Sequence, residues 1–249
     1  MSNKAYLPTV QTTKSCDDYV CWTRMQAEAG QALDEIIARK EIERFVGKGM
    51  FLWGVGNAPA VITTRLAKVK SPIPVIFSIM KGRPRATDVT PGRVLAWRGY
   101  VDAHGVERPL PGHSLVTSRG ESASGLKKRH FALFCWSEKE LKITRGVPFD
   151  PSAYRNAGGT GAPVGSSQTT ALLKRTSSLL AKTDYEANIR AFLVDSYWVR
   201  LTDPIELSNA KISAISSASQ VKPSKWTDFV SEIRSGPSIK APIAQGRLL

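Results

Sequence analysis

The stretch that decides the fold is Met50-Phe-Leu-Trp-Gly-Val-Gly-Asn-Ala-Pro59. An apolar run that ends in glycines and a proline is typical of a buried strand followed by a tight turn. In open α/β sheets ligands bind at the carboxyl ends of strands, and glycine lets a ligand approach the backbone closely. Asn57 lies in this turn, where its amide could orient a water molecule or the edge of a base. The stretch therefore predicts a ligand site at the end of a buried strand.

Apolar patterns on either side of this strand predict that helices and strands alternate along the chain. We expect helices over residues 17–46, 61–69, 171–180, 185–201 and 226–233, and strands over 74–80, 93–101, 114–118 and 131–136. The predicted fold class is α/β, with a single three-layer α/β/α domain over residues 1–205, a central mostly parallel sheet and a β-hairpin excursion near residues 102–105. Residues 206–249 are expected to form a C-terminal extension that is partly helical and then extended or disordered.

The chain is strongly basic, with 35 Lys and Arg against 21 Asp and Glu and a net charge of +14 at pH 7. Such a balance is typical of a protein whose partner carries phosphate groups, although a merely soluble basic protein stays the alternative. No apolar run is long enough to cross a bilayer, so no membrane partner is expected. Three cysteines without C-x-x-C spacing argue against a disulfide scaffold and favour a reducing cytoplasm. We expect a cytoplasmic monomer that binds DNA.

Several common sites are disfavoured by missing residues. The turn after Gly54 does not form a convincing G-x-G-x-x-G dinucleotide motif, and no acidic ribose partner follows at the right distance. The loop from Gly158 to Gly165 lacks the Gly-Lys-Ser/Thr of a P-loop, and it could be an ordered ligand loop or a linker. The three histidines lack metal-ligand spacing, and no G-x-S-x-G elbow occurs. No metal and no organic cofactor are therefore expected.

Two groups of basic residues lie in loops beside predicted strand ends, where they would bind DNA phosphates or form an ordinary solvated surface. His130 lies between one of these groups and an apolar strand, so it either reaches a ligand or is a partly buried structural histidine. The predicted DNA-binding residues are Arg83, Arg85, Arg119, Lys127, Lys128, Arg129, Ser167 and Gln168, the last two at a predicted helix start. The predicted base pocket consists of Trp53, Gly54, Gly56, Pro59, Ser78, His113 and Ser118.

A strand, the turn Gly54-Val-Gly-Asn57-Ala-Pro59 and a helix, in a basic chain with a later histidine at a strand, resemble the uracil-DNA-glycosylase superfamily and its Brig-type anti-phage members. The resemblance implies a monofunctional DNA glycosylase that hydrolyses the N-glycosidic bond of a flipped, modified base and leaves an abasic site. It also implies antiviral defence, with glucosylated hydroxymethylcytosine of phage DNA as a candidate base. Asn57 would position the attacking water, and His130, or alternatively His113, would stabilise the departing base.

Two functions from other classes remain open. A non-catalytic module could use the same basic loops to recognise modified DNA or RNA, and it would leave no abasic site. A nucleotide-processing hydrolase would act on free nucleotides and would be indifferent to polymer.

Overall fold

One mixed β-sheet organises the part of the chain that the structure, a computed structural model, describes. The described residues are 19–26, 32–55, 60–69, 72–80, 94–102, 104–110, 117–119, 129–143, 147–148, 154–164, 168–174, 185–206, 214 and 226–235. Their elements are β1 (Tyr19–Arg24), α1 (Leu33–Val46), β2 (Met50–Val55), α2 (Ala60–Val69), β3 (Ile73–Met80), β4 (Val94–Val101), β5 (Glu107–Pro109), β6 (Thr117–Arg119), β7 (Arg129–Trp136), β8 (Val147–Pro148), β9 (Arg155–Asn156), β10 (Thr170–Lys174), β11 (Tyr185–Glu206) and α3 (Trp226–Ser235).

The 22-residue strand β11 is the axis of this sheet. β3 and β7 pair with opposite edges of β11, because Phe192 lies opposite both Pro74 of β3 and Trp136 of β7. The order of strands outward from β11 is β7 and β2 on one side and β3, β1, β10 and β9 on the other. Since β2 is joined to β7 alone among the described strands, it forms one edge of the sheet.

β4 follows β3 along the same edge of β11. Arg200 pairs with both Val101 of β4 and Arg129 of β7, so β4 lies on the edge opposite to β7. The β3 pairing ends at Leu193, and the β4 pairing begins at Arg200. Between them, residues 194–199 have no partner strand on that edge within the described ranges, so the sheet divides there.

The expected three-layer α/β/α domain with a mostly parallel sheet is wrong. The protein is mostly β, and every strand pair found in the described ranges is antiparallel except β1 with β3. The error has a physical cause: β2 and β7 are covered on both faces, and such strands read as continuous apolar runs whether their neighbours are parallel or antiparallel. In β7, Leu133 packs into the cluster on one face while Phe134 packs into the cluster on the other.

Two predicted helices are strands. The apolar residues of 185–201 fit helical spacing only because β11 contains two register shifts, near Ala187 and between Leu193 and Asp195. Such a shift interrupts the period of two on which a strand is recognised. The predicted helix over 171–180 falls on β10 as far as Lys174, and the predicted helix over 17–46 contains β1 before α1.

Six other predicted elements correspond to elements of the structure. Of the strand predicted over 114–118, residues 117 and 118 are described and belong to β6. The strands predicted around Met50, over 74–80, 93–101 and 131–136 correspond to β2, β3, β4 and β7, and the helices over 61–69 and 226–233 correspond to α2 and α3. The hairpin near residues 102–105 joins β4 to β5. In the expected C-terminal extension, α3 packs on α1, where the Phe45 and Trp226 rings meet edge to face at 5.1 Å.

The helices α1 and α2 cover one face of the sheet. Leu33 and Ile37 of α1 and Ile62 of α2 share a core with residues of β1, β2, β3, β7 and β11. The first turns of α2 reach the division in the sheet, where Thr63 Oγ1 donates a hydrogen bond of 2.9 Å to the Ser196 carbonyl. The opposite face is covered near β2 by Trp97, Tyr100 and Leu110. Both faces of the strand that precedes Asn57 are therefore packed.

Candidate nucleic-acid interface

The last residue of β2 and the first residues of β7 lie side by side at one end of the sheet. Antiparallel pairing sets Val55 opposite Phe131, and Phe131 is in turn opposite Trp198 of β11. One step along, His130 pairs with Val199. We call this region the β2–β7–β11 end. It is the place where the chain leaves β2 toward Asn57 and enters β7 from Lys127 and Lys128.

Two arginines are register partners at the β2–β7–β11 end. Arg200 is paired directly with Arg129 on the neighbouring strand. Arg200 is exposed, and it makes no ion pair within the described part of the chain. Like charges directly opposite each other in a sheet are destabilising. An anion bound beside these two positions would be favoured, because guanidinium groups bind phosphate and carboxylate through strong, charge-assisted hydrogen bonds.

Trp198 is exposed at the same end of the sheet. Its exposed fraction is 43%, whereas Ser196 and Val199 beside it are buried. Its ring meets Phe131 edge to face, with centroids 5.4 Å apart and planes at 81°. A tryptophan buries about 150–250 Å² in a core. Leaving 43% of that area in water forgoes about 2 kcal/mol at 25 cal/mol per Å². The aromatic surface is thus held in a fixed place and offered to solvent.

Sequence reasoning missed Trp198 because a helix was expected over 185–201. In a strand, residues i and i+2 share a face, so the sequence Trp198-Val-Arg200 would have predicted an aromatic residue and a cation side by side. No register shift occurs between Trp198 and Arg200 in the pairing with β7. An aromatic ring and a cation therefore lie on one face, two residues apart.

Many of the predicted site residues lie outside the described residues, and their roles stay predictions. They are Asn57, Gly56, Pro59, His113, Arg83, Arg85, Lys127, Lys128 and Ser167. His130 and Arg129 are placed by the register of β7 at the β2–β7–β11 end. Because β2 and β7 are antiparallel, the end of β2 lies beside the start of β7. The predicted proximity of the Asn57 turn to His130 is compatible with this pairing.

Trp53 and Gly54 lie on opposite faces of β2. Trp53 is half-buried and packs edge to face on Phe77, with centroids 4.9 Å apart, so it belongs to the core beneath α1 and α2. Gly54 is exposed, and a Cβ atom there would meet nothing within 4 Å. Of the two, only Gly54 leaves room for a ligand.

Ser78 does not line an open cleft. It is fully buried on β3, and its Oγ accepts a hydrogen bond of 2.5 Å from the indole nitrogen of Trp22. This contact fixes the Trp22 side chain in the core and leaves Ser78 inaccessible to a base.

Ser118 and Arg119 lie away from the β2–β7–β11 end. Both belong to β6, which pairs with the first residues of β4, whereas Val101 at the other end of β4 meets Arg200. The six residue-to-residue steps from Leu95 to Val101 span about 20 Å along a strand. The structure does not bring Ser118 and Arg119 together with His130.

Gln168 is engaged with a neighbouring amide rather than with a helix start. Its side chain exchanges hydrogen bonds of 3.3 Å with Asn156, which also donates to the Ala162 carbonyl at 3.0 Å. The residues that follow form β10, so the helix start expected here is wrong, and the DNA-binding role of Gln168 stays a prediction. The glycine-rich loop up to residue 164 packs instead on α2, where Gly158 lies close to Val61.

The described cysteines are poor nucleophiles. Cys21 and Cys135 are buried and free of disulfides, and burial raises the pKa of Cys21 to about 12 and the pKa of Cys135 well above its usual value. Both thiols are therefore protonated at neutral pH. No group of three or more His, Cys, Asp or Glu residues that could hold a metal ion occurs within the described ranges.

A buried ion pair supports the strand that leads to the site. The Lys40 ammonium group lies 2.9 Å from both carboxylate oxygens of Glu43, and Arg39 Nη1 lies 3.4 Å from one of them. Glu43 also accepts a hydrogen bond from the backbone of Leu52. The position of β2 under α1 is thus fixed by charge as well as by apolar packing.

No family model, curated protein or solved structure matches this chain. None of the helices in the described residues is long and apolar enough to span a membrane.

Proposed function

We propose that this protein is a nucleic-acid-binding module that holds its ligand at the β2–β7–β11 end of the sheet. The observation that carries the proposal is the direct pairing of Arg129 with Arg200, next to an exposed Trp198, in a chain of net charge +14. A polyanion offsets the repulsion between the two arginines, and its bases supply flat surfaces for the indole ring.

Base excision is the second candidate, and one observation favours it. The last residue of β2 pairs with the start of β7. Val55, two residues before Asn57, lies opposite Phe131, the residue that follows His130. In this candidate the Asn57 amide holds the attacking water and His130 offsets charge on the departing base of modified phage DNA. The α/β/α fold that the glycosylase resemblance implies is not observed, so this candidate depends on these two residues alone.

The proposal is tested by measuring the salt dependence of binding. Fluorescence anisotropy with labelled single-stranded DNA, duplex DNA and single-stranded RNA should show affinities that fall linearly on a log–log plot against salt. Arg129→Gln with Arg200→Gln should reduce the slope for single strands by about 1.4, since each neutralised phosphate contributes about 0.7. Arg155→Gln is the matched control, because Arg155 is exposed on β9 at the far edge of the sheet. Absence of binding to all three polymers at low salt would overturn the proposal.

The same samples distinguish the second candidate. Alkali treatment of phage DNA carrying modified bases, after incubation with the protein, cleaves the strand wherever a base has been released. Base release that Asn57→Ala abolishes, with DNA binding retained, would establish excision. Binding without alkali-labile sites would leave the non-catalytic module as the function.

A further inference from the structure

We infer that the β2–β7–β11 end takes an unpaired nucleotide, whose base stacks on Trp198 while its phosphate lies against Arg200 and Arg129. This inference rests on the proposed function and names its substrate class: single-stranded nucleic acid, or a nucleotide extruded from a duplex. It begins from the indole ring, which is 43% exposed although Ser196 and Val199 on the same strand are buried.

The indole ring is already held in place before a ligand arrives. The edge-to-face contact with Phe131, at a centroid distance of 5.4 Å, uses part of the ring and leaves the rest accessible. Phe131 is itself 1% exposed and belongs to the core beneath α1 and α2. A platform fixed by the core loses little side-chain entropy when a base stacks on it.

The cation lies at a suitable place for the phosphate of the stacked nucleotide. Trp198 and Arg200 share one face of β11, and two residues of a strand span about 7 Å. Arg129 is the register partner of Arg200, so the sequence places a second arginine at the adjacent position of β7. Stacking and phosphate binding thus act on adjacent parts of one nucleotide.

The helix α2 bounds the platform on its other side. Thr63 of α2 is hydrogen-bonded to the Ser196 carbonyl, and Ser196 lies two residues before Trp198 on the same face. α2 therefore contacts β11 at Ser196, on the side of Trp198 away from Arg200 along the strand.

This geometry favours an unpaired base over a duplex. Within a duplex both faces of a base are covered by its neighbours, so only an unpaired, terminal or extruded base can stack on a protein ring. Phosphates are available in both kinds of ligand. The arginines therefore contribute to binding of either, whereas Trp198 contributes to binding of the single strand.

The test compares Trp198 variants with a matched aromatic control. Phe45 is 41% exposed and also has an edge-to-face partner, Trp226, but it lies on α1 away from Arg200. Trp198→Ala should weaken binding of a 12-nucleotide single strand by about 5- to 150-fold, as expected for one lost base–aromatic stack. Binding of a covalently closed circular duplex, which has no terminal base pair and so no exposed base face, should stay unchanged. Trp198→Phe should retain most of the single-strand affinity, and Phe45→Ala should retain all of it.

The outcomes separate this inference from the proposed function. Wild-type protein that binds no nucleic acid refutes the proposed function. Wild-type protein that binds single strands, with Trp198→Ala binding them equally well, refutes the inference and leaves the proposed function intact. Trp198→Phe and Trp198→Leu give a second check, provided that both unfold at the same urea midpoint as the wild type. If both variants lose single-strand and duplex binding to the same extent, the inference is also refuted. If Trp198→Ala fails to fold, the Phe and Leu variants decide the question.

Discussion

Replacing Glu43 by Gln should be among the most damaging conservative substitutions in the described part of the chain. The Glu43 carboxylate is the acceptor for both Lys40 and Arg39, and all three side chains are at most 5% exposed. Removing one partner of such a buried ion pair costs about 3–5 kcal/mol, because the remaining charges keep their desolvation cost without compensation. Typical domains are stable by about 5–15 kcal/mol, so this loss is a large part of the total.

Glutamine keeps the shape of the side chain and an oxygen that can accept from the Leu52 backbone, so the loss measures charge rather than packing. The assay is urea unfolding followed by tryptophan fluorescence, with Glu140→Gln as control. Glu140 forms an exposed pair with Lys142, at exposed fractions of 58% and 63%, and its loss should change the free energy of unfolding by less than about 1 kcal/mol. If Glu43→Gln lowers the free energy of unfolding by no more than the control does, the conclusion that Glu43 is a buried, charged partner of Lys40 and Arg39 is refuted.

The pH dependence gives a second check on the same pair. Burial lowers the pKa of Lys40 from 10.5 to about 8, although Glu43 opposes this shift. Because the unfolded chain binds more protons at Lys40 between pH 8 and pH 10.5, wild-type stability should rise with pH in that window. Without Glu43 the pKa of Lys40 falls further, so the deficit of the variant should shrink as the pH rises toward 8. A deficit that grows with pH below 8 would contradict this account.

Three further predictions concern turns and a bulge. Gly49→Ala should lower the free energy of unfolding in urea by about 2–5 kcal/mol, because φ is +100° and the new Cβ would overlap the Trp136 ring. Gly105→Ala is the control: φ is +79° with open space around it, so the loss should be about 1–2 kcal/mol. Equal losses for the two variants would contradict the overlap with Trp136. Asp102→Asn should lower the melting temperature at neutral pH, because Arg108 and two backbone N–H groups hold the pKa of Asp102 at about 2; the difference from wild type should disappear as the pH falls from 3.8 to 2. Asp195→Asn should raise the melting temperature slightly at neutral pH, because burial raises the pKa of Asp195 and so disfavours its charge in the folded state; this gain should vanish at low pH, and a loss at neutral pH would contradict it.

The strands β2, β3, β4 and β7 and the helices α2 and α3 were predictable from apolar patterns, but their arrangement was not. Met50 to Val55 reads correctly as a buried strand, since Phe51 and Leu52 are both 1% exposed on opposite faces. The same run is compatible with a parallel or an antiparallel neighbour. Only the pairing of β2 with β7, 80 residues away, decides between them.

The candidate site was predictable only where apolar patterns marked the ends of strands. The turn after Val55 and the residue His130 could be recognised as strand ends, and the pairing of β2 with β7 joins those ends. Trp198 could not be recognised while the shifts in β11 made its spacing look helical. Ser118 was expected in the pocket because it follows an apolar residue at a predicted strand end, whereas its pairing with the first residues of β4 depends on tertiary structure.

The most direct test of the central claim is photocrosslinking of the protein to a single-stranded oligonucleotide that contains 5-iodouracil, followed by mass spectrometry of the peptides. We expect the main crosslinked peptide to come from β11 and to carry the modification on Trp198. Crosslinks confined to peptides elsewhere in the described chain, such as α3 or β5, with Trp198 unmodified, would contradict a ligand site at the β2–β7–β11 end.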